Sequence, residues 1–133
     1  MAALIDSSVF IAGERGQVDL ADLLASFRGE PLALSAVTAS ELLYGLHWSR
    51  TLAQRERRDA YIEAILTQMA VLAFDLAVAR VHSAVSAELD RTGRRVGAHD
   101  LMIAATAMAH DYRVATRDLR SFPKIQGLET VKI

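Results

Sequence analysis

Four carboxylates in this chain stand directly against apolar runs: Asp6 follows AALI, Glu41 precedes LLYGL, Asp100 precedes LMIAATAMA and Asp118 follows YRVATR. Any fold that buries those runs draws the acids to the border of the core. An ionised carboxylate there is costly without a partner, and several of them together repel one another. A hard divalent cation shared among them removes both costs, so the pattern points to a metal site. The other twelve acids lie mostly in mixed polar segments or at turns and read as solvated faces and helix caps.

The hydrophobic pattern alternates strand with helix. Ala2 to Ile5 reads as a buried strand, and Asp6 and Ser7 turn into a helical stretch towards Ala12. Helical spacing follows over Val18 to Phe27, then a second strand over Pro31 to Leu34. Thr38 and Glu41 form a T-x-x-E capping box ahead of a helix carrying Leu42, Leu43 and Leu46, and an arginine-rich helical segment runs from Leu52 to about Thr67. Met69 to Phe74 reads as a strand, after which Asp75 caps a helix striped by Val78, Val81, Val85 and Leu89, ending at Thr92 and Gly93. His99 to His110 is a nearly all-apolar helix, buried on several sides, and Tyr112 to Ala115 and Thr130 to Ile133 complete the strands. This order predicts one α/β domain over residues 1–133, with a mostly parallel sheet of four to five short strands covered by helices on both faces. Ligands of such sheets gather at the carboxyl ends of the strands. Asp6 and Asp118 fall on that edge, and Glu41 and Asp100, in the first turns of their helices, can point to the same place.

Composition narrows the chemistry. With no cysteine, a disulfide scaffold, a thiolate metal site and a cysteine nucleophile are excluded. No apolar run approaches the length of a membrane span, and the start has no basic region ahead of a long apolar stretch; a cytoplasmic protein is expected. A net charge of −1 leaves any nucleic-acid contact to local basic clusters: Arg50, Arg55, Arg57 and Arg58; Arg91, Arg94 and Arg95; Arg113, Arg117, Arg120 and Lys124. No G-x-G-x-x-G, Walker A or H-E-x-x-H pattern occurs. Tyr44, Leu46 and Trp48 read first as a helix face packed on the core and second as a partner surface. His99, beside Asp100, reads as a capping or surface residue, with a proton shuttle as the functional alternative.

Magnesium and manganese take oxygen ligands in octahedral geometry, so three or four acids from different elements suit one or two such ions, as in phosphodiester hydrolysis. Each acid also has a purely structural reading. Glu41 completes the capping box, Asp100 favours a helix dipole, Asp6 caps the next helix and Asp118 closes an Asx turn after Thr116. Those readings leave the shared apolar setting of all four unexplained.

Four ordered segments, LIDSSVFIA, SELLYG, HDLMIAATAMAH and VATRDLRSFPKIQGLE, resemble the PIN-domain ribonucleases, specifically the VapC-like toxins of toxin–antitoxin pairs. The likeness runs nearly the whole length. It implies an endoribonuclease dependent on Mg²⁺ or Mn²⁺, with metal coordination by Asp6, Asp100 and Asp118, Glu41 as a ligand or as the group orienting the attacking water, and Ser8 and Thr116 as supporting hydroxyls. It also implies an RNA substrate, a cognate antitoxin that inserts a segment into the cleft, and a homodimer or a toxin–antitoxin hetero-oligomer. Many relatives carry an acid or a histidine just before the closing Phe, where this chain has Ser121.

Two rival readings remain. A phosphate-accepting receiver domain would use an acidic cluster for Mg²⁺, but needs paired acids after its first strand, and Ser7 and Ser8 follow Asp6. A PIN-like domain that binds RNA or a partner without catalysis would be expected to have lost at least one acid.

Overall fold

The structure, a computed structural model, describes residues 2–133. Five strands of three or four residues, β1 (Ala3–Ile5), β2 (Leu32–Ser35), β3 (Ala70–Leu72), β4 (Arg113–Thr116) and β5 (Thr130–Lys132), form one sheet in the order β3-β2-β1-β4-β5. All four pairings are parallel. Six helices connect them: α1 (Ser7–Glu14), α2 (Leu20–Ala25), α3 (Ala36–Leu46), α4 (Leu52–Gln68), α5 (Leu76–Thr92) and α6 (Ala98–Ala109), with a single 3-10 turn at Phe122–Lys124.

The central strand is apolar throughout because both its faces are covered. Ala3 and Ile5 pack with Val9, Phe10, Leu42, Leu46, Ile62 and Ile65 from the α1 to α4 layer. Leu4 points the other way, into Leu89, Ile103, Ala104 and Ala107 of α5 and α6. Helix α6 is buried over five consecutive positions, Ile103 to Ala107. Its alanines let it lie close against the sheet, as its nearly all-apolar sequence predicts. Gly93, at φ 68°, supplies the left-handed residue that ends α5.

Three local expectations are corrected. The Thr38–Glu41 capping box does not form: Ser35 caps α3, accepting from Thr38 N at 3.0 Å, which puts Thr38 inside the first turn and Glu41 in the second. The Glu41 side chain is thereby free of any capping role. The helix expected over Val18 to Phe27 is confined to Leu20–Ala25, because Asp19 caps it and Arg28, at φ 52°, turns the chain out of helical geometry. Tyr44 and Trp48 do not pack on the core; they are 62% and 68% exposed, while Leu46 is buried.

The strand order reverses between β1 and β4, the switch point at which open α/β sheets hold ligands. A receiver domain has the order 2-1-3-4-5. The order 3-2-1-4-5 removes that rival.

Candidate active site

The carboxyl ends of β1 and β4 place Asp6 and Thr116 side by side although 110 residues separate them. Asp6 N continues the ladder by donating to Ala115 O at 2.9 Å, and its side chain then turns to cap α1. The carboxylate is only 3% exposed. Its Oδ2 accepts from the Ser8 hydroxyl at 2.8 Å and the Thr116 hydroxyl at 2.9 Å. Both hydroxyls are tied further: Arg117 N donates to Ser8 Oγ at 3.0 Å, and Asp118 N to Thr116 Oγ1 at 2.9 Å. Asp6 Oδ1 is buried and has no hydrogen-bond partner among the described residues.

Glu41 reaches the same place from α3. Ser7 donates to its Oε2 at 3.4 Å, His99 Nδ1 lies 3.9 Å from that oxygen, and Oε1 is buried without a partner. Burial, then the nearby charge of Asp6, raise the Glu41 carboxyl above its ordinary range, and the charge of Asp100 adds to this. Asp100, in the first turn of α6, is raised chiefly by burial, with Asp6 and Asp118 contributing and a hydrogen bond from Ser121 opposing. Asp6, Glu41 and Asp100 therefore share one electrostatic environment. Asp118 sits at its rim and is held the opposite way: Arg120 donates to it from side chain and main chain, bringing its carboxyl down to about 2.

Among the described residues no three His, Cys, Asp or Glu side chains close directly around a single point. The arrangement still fits a divalent ion. Two bare carboxylate oxygens buried near a third acid form an uncompensated anionic pocket, and Mg²⁺ retains several waters while taking only a few carboxylates.

Ser7 joins this pocket without having been expected there, although it adjoins Asp6 in sequence. His99, whose place beside Asp100 allowed a proton-shuttle role, lies 3.9 Å from Glu41 Oε2, and Ser121 lies against Asp100. The basic clusters are also largely spent on internal contacts. Arg113 pairs with Glu30 at 2.8 Å, Arg58 with Glu14 at 2.7 Å and Arg91 with Glu88 at 3.0 Å, while Lys124 Nζ donates to Arg95 O at 3.1 Å. Arg113, Arg58 and Lys124 tie separate segments together, while the Arg91 pair lies within α5, and the clustering in sequence reveals neither.

A family model described as PIN domain matches residues 3–128. The chain is 31% identical over 133 residues to Ribonuclease VapC1 of Rickettsia felis, covering 100% of this chain and 97% of that protein. It is 37% identical over 99 residues to the tRNA(fMet)-specific endonuclease VapC of Shigella flexneri, covering 74% and 73% respectively. Among solved structures, it is similar to VapBC-5 of Mycobacterium tuberculosis, from the VapBC family of toxin-antitoxin systems, with a TM-score of 0.79 and 32% identity over 99% of this chain and 98% of that one. Fold, strand-end acids and these likenesses agree: the chain belongs to the PIN domain family, among its VapC-type members.

Proposed function

We propose that this protein is the endoribonuclease toxin of a toxin–antitoxin pair, hydrolysing RNA phosphodiester bonds in the cytoplasm with Mg²⁺ or Mn²⁺ and held silent by a cognate antitoxin. The observation that carries the reading is the pair of buried, unpartnered carboxylate oxygens, Asp6 Oδ1 and Glu41 Oε1, beside Asp100 at the sheet's switch point. The names of the relatives supply the substrate class. The membership of VapBC-5 in a family of toxin-antitoxin systems supports the partner.

Asp6, Glu41 and Asp100 would hold the ion, with Asp118 at the rim. Bound there, a divalent ion supplies the positive charge that makes water a stronger nucleophile and steadies the leaving oxygen. The protein's own part is positional. Ser8 and Thr116 occupy Asp6 Oδ2 and so fix Oδ1 towards the pocket. Glu41, raised by burial and with Oε2 turned to Ser7 and His99, would take at that second oxygen a proton from the water that attacks phosphorus in line, leaving 5′-phosphate and 3′-hydroxyl ends. Asp100, carried by the first turn of α6, would complete the pocket from that side.

For the protein partner, an exposed apolar strip on α3 and beyond, with Leu43, Tyr44, Trp48 and Leu52, supports a docking face for the antitoxin or a second copy. A shallow groove of about 420 Å³ between α3 and β3 runs along it. Among the described residues no helix is long and apolar enough to cross a membrane.

The deciding experiment incubates purified protein with a mixed RNA pool in Mg²⁺, Mn²⁺ or chelator, beside Asp6→Asn. Cleavage that needs the metal and disappears in the variant is expected. RNA left intact by the wild-type protein under every condition, while still bound, would favour the non-catalytic rival.

A further inference from the structure

The four acids are not equivalent. Asp6 Oδ1 and Glu41 Oε1 are buried and unpartnered, ready for a cation. Both oxygens of Asp118 are already engaged. Arg120 donates to Oδ1 from its main-chain N and from Nε, each at 2.9 Å, and to Oδ2 from Nη2 at 2.8 Å. A two-pronged guanidinium–carboxylate pair is among the stronger and more directional polar contacts of a protein. An ion taking the remaining lone pair of Oδ2 would sit against the Arg120 guanidinium, whose Nη2 is 2.8 Å from that oxygen, and would be repelled by its charge.

The other end of the pair is open. Two of the five N–H bonds of the Arg120 guanidinium serve Asp118, leaving three. The side chain is 89% exposed, and Asp100 lies within its electrostatic reach. An RNA backbone entering the pocket meets the charges of Asp6, Glu41 and Asp100, so a fixed cation beside them removes part of the repulsion. Arg113 and Arg58 are committed to Glu30 and Glu14 and cannot serve. The loop holds the geometry firmly, since Asp118 N is itself bonded to Thr116 Oγ1, the hydroxyl that orients Asp6.

We propose that Asp118 is a positioning residue rather than an ion ligand: it holds the Arg120 guanidinium as the phosphate-binding group at the rim of the Asp6–Glu41–Asp100 pocket. The proposal rests on the nuclease reading above. In this arrangement Asp118 serves the substrate's backbone, and the ion is served by the other three acids.

Two measurements that do not depend on turnover test it. Calorimetric titration with Mn²⁺ should give Asp118→Asn an affinity within about threefold of wild type, whereas Asp6→Asn loses about tenfold or more. Anisotropy of a labelled single-stranded RNA in chelator, across a salt series, should show Arg120→Ala binding about tenfold more weakly. Its slope of log affinity against log salt should be shallower by about 0.7, the loss of one phosphate contact. Arg120→Lys should restore the slope but only part of the affinity, and Asp118→Asn should weaken RNA binding with its Mn²⁺ affinity kept. A loss of Mn²⁺ affinity in Asp118→Asn equal to that in Asp6→Asn would overturn the assignment, as would unchanged RNA affinity and slope in Arg120→Ala. Wild-type protein that binds neither Mn²⁺ nor RNA would instead overturn the nuclease reading, and this proposal with it.

Discussion

At the scale of single residues, the site depends on hydroxyls that dispose of one carboxylate oxygen and leave the other bare. Thr116 is fully buried and donates to Asp6 Oδ2. Thr116→Val keeps the shape but removes the donor, so Asp6 can rotate; a loss of about 1–3 kcal/mol in urea unfolding is expected, with RNA cleavage reduced at least about tenfold. Glu41 and Asp100 give a dependence on pH. Both carboxyls are raised in the folded protein, so the folded state holds protons that the unfolded chain releases, and their contribution favours folding at low pH. It is lost as pH rises from the ordinary values of 4.5 and 3.8 through the raised ones. Asp118 acts in the opposite sense: its contribution is present above 3.8 and is lost as pH falls through about 2. In chelator, Glu41→Gln should therefore be more stable than wild type at pH 7 and no more stable at pH 4, measured by urea unfolding. Equal stability of the two proteins at pH 7 would show that Glu41 is not strained by its neighbours.

At the scale of elements, helix starts decide where the acids stand. Ser35 caps α3, and Asp75 caps α5 by accepting from Val78 N at 3.0 Å. Ser35→Ala and Asp75→Ala should each cost about 0.5–2 kcal/mol in unfolding experiments. Only the first should also impair RNA cleavage, because of these two helices only α3 carries a residue of the pocket. The strands and most helices were legible because their apolar periods and caps are local properties: AALI is continuous because β1 is covered on both faces, and Asp75 precedes its helix as a cap must. The start of α3 misled because Thr38 and Glu41 match a capping box that Ser35 pre-empts from the end of β2. Exposure of Tyr44 and Trp48 was equally hidden, since helical spacing does not say which face meets the sheet. The convergence of the acids could be inferred from their apolar surroundings, but the Asp118–Arg120 pair could not. Arg120 reads in sequence as one more cation of a basic cluster.

For the whole molecule, ion binding and stability should be coupled. The pocket joins α1, α3 and α6 across the sheet, so a divalent ion binding only the folded protein adds about 2.7 kcal/mol at one hundred times its dissociation constant. Calorimetric scans should show Tm rising by roughly 10 °C at one hundred times the wild-type dissociation constant of Mn²⁺, and by about half that or less for Asp6→Asn. A rise of the same size in the variant would place the ion elsewhere. The bond between Thr116 and Asp6 spans 110 positions, and β4 inserts next to the central strand late in the chain. A ribosome therefore releases the first hundred residues with the catalytic cleft still open on one side, and no competent enzyme can exist until the segment through Asp118 has emerged and slotted in. The site is thus absent for most of the protein's own synthesis and is completed only in its last stage, when β4 takes its place beside β1.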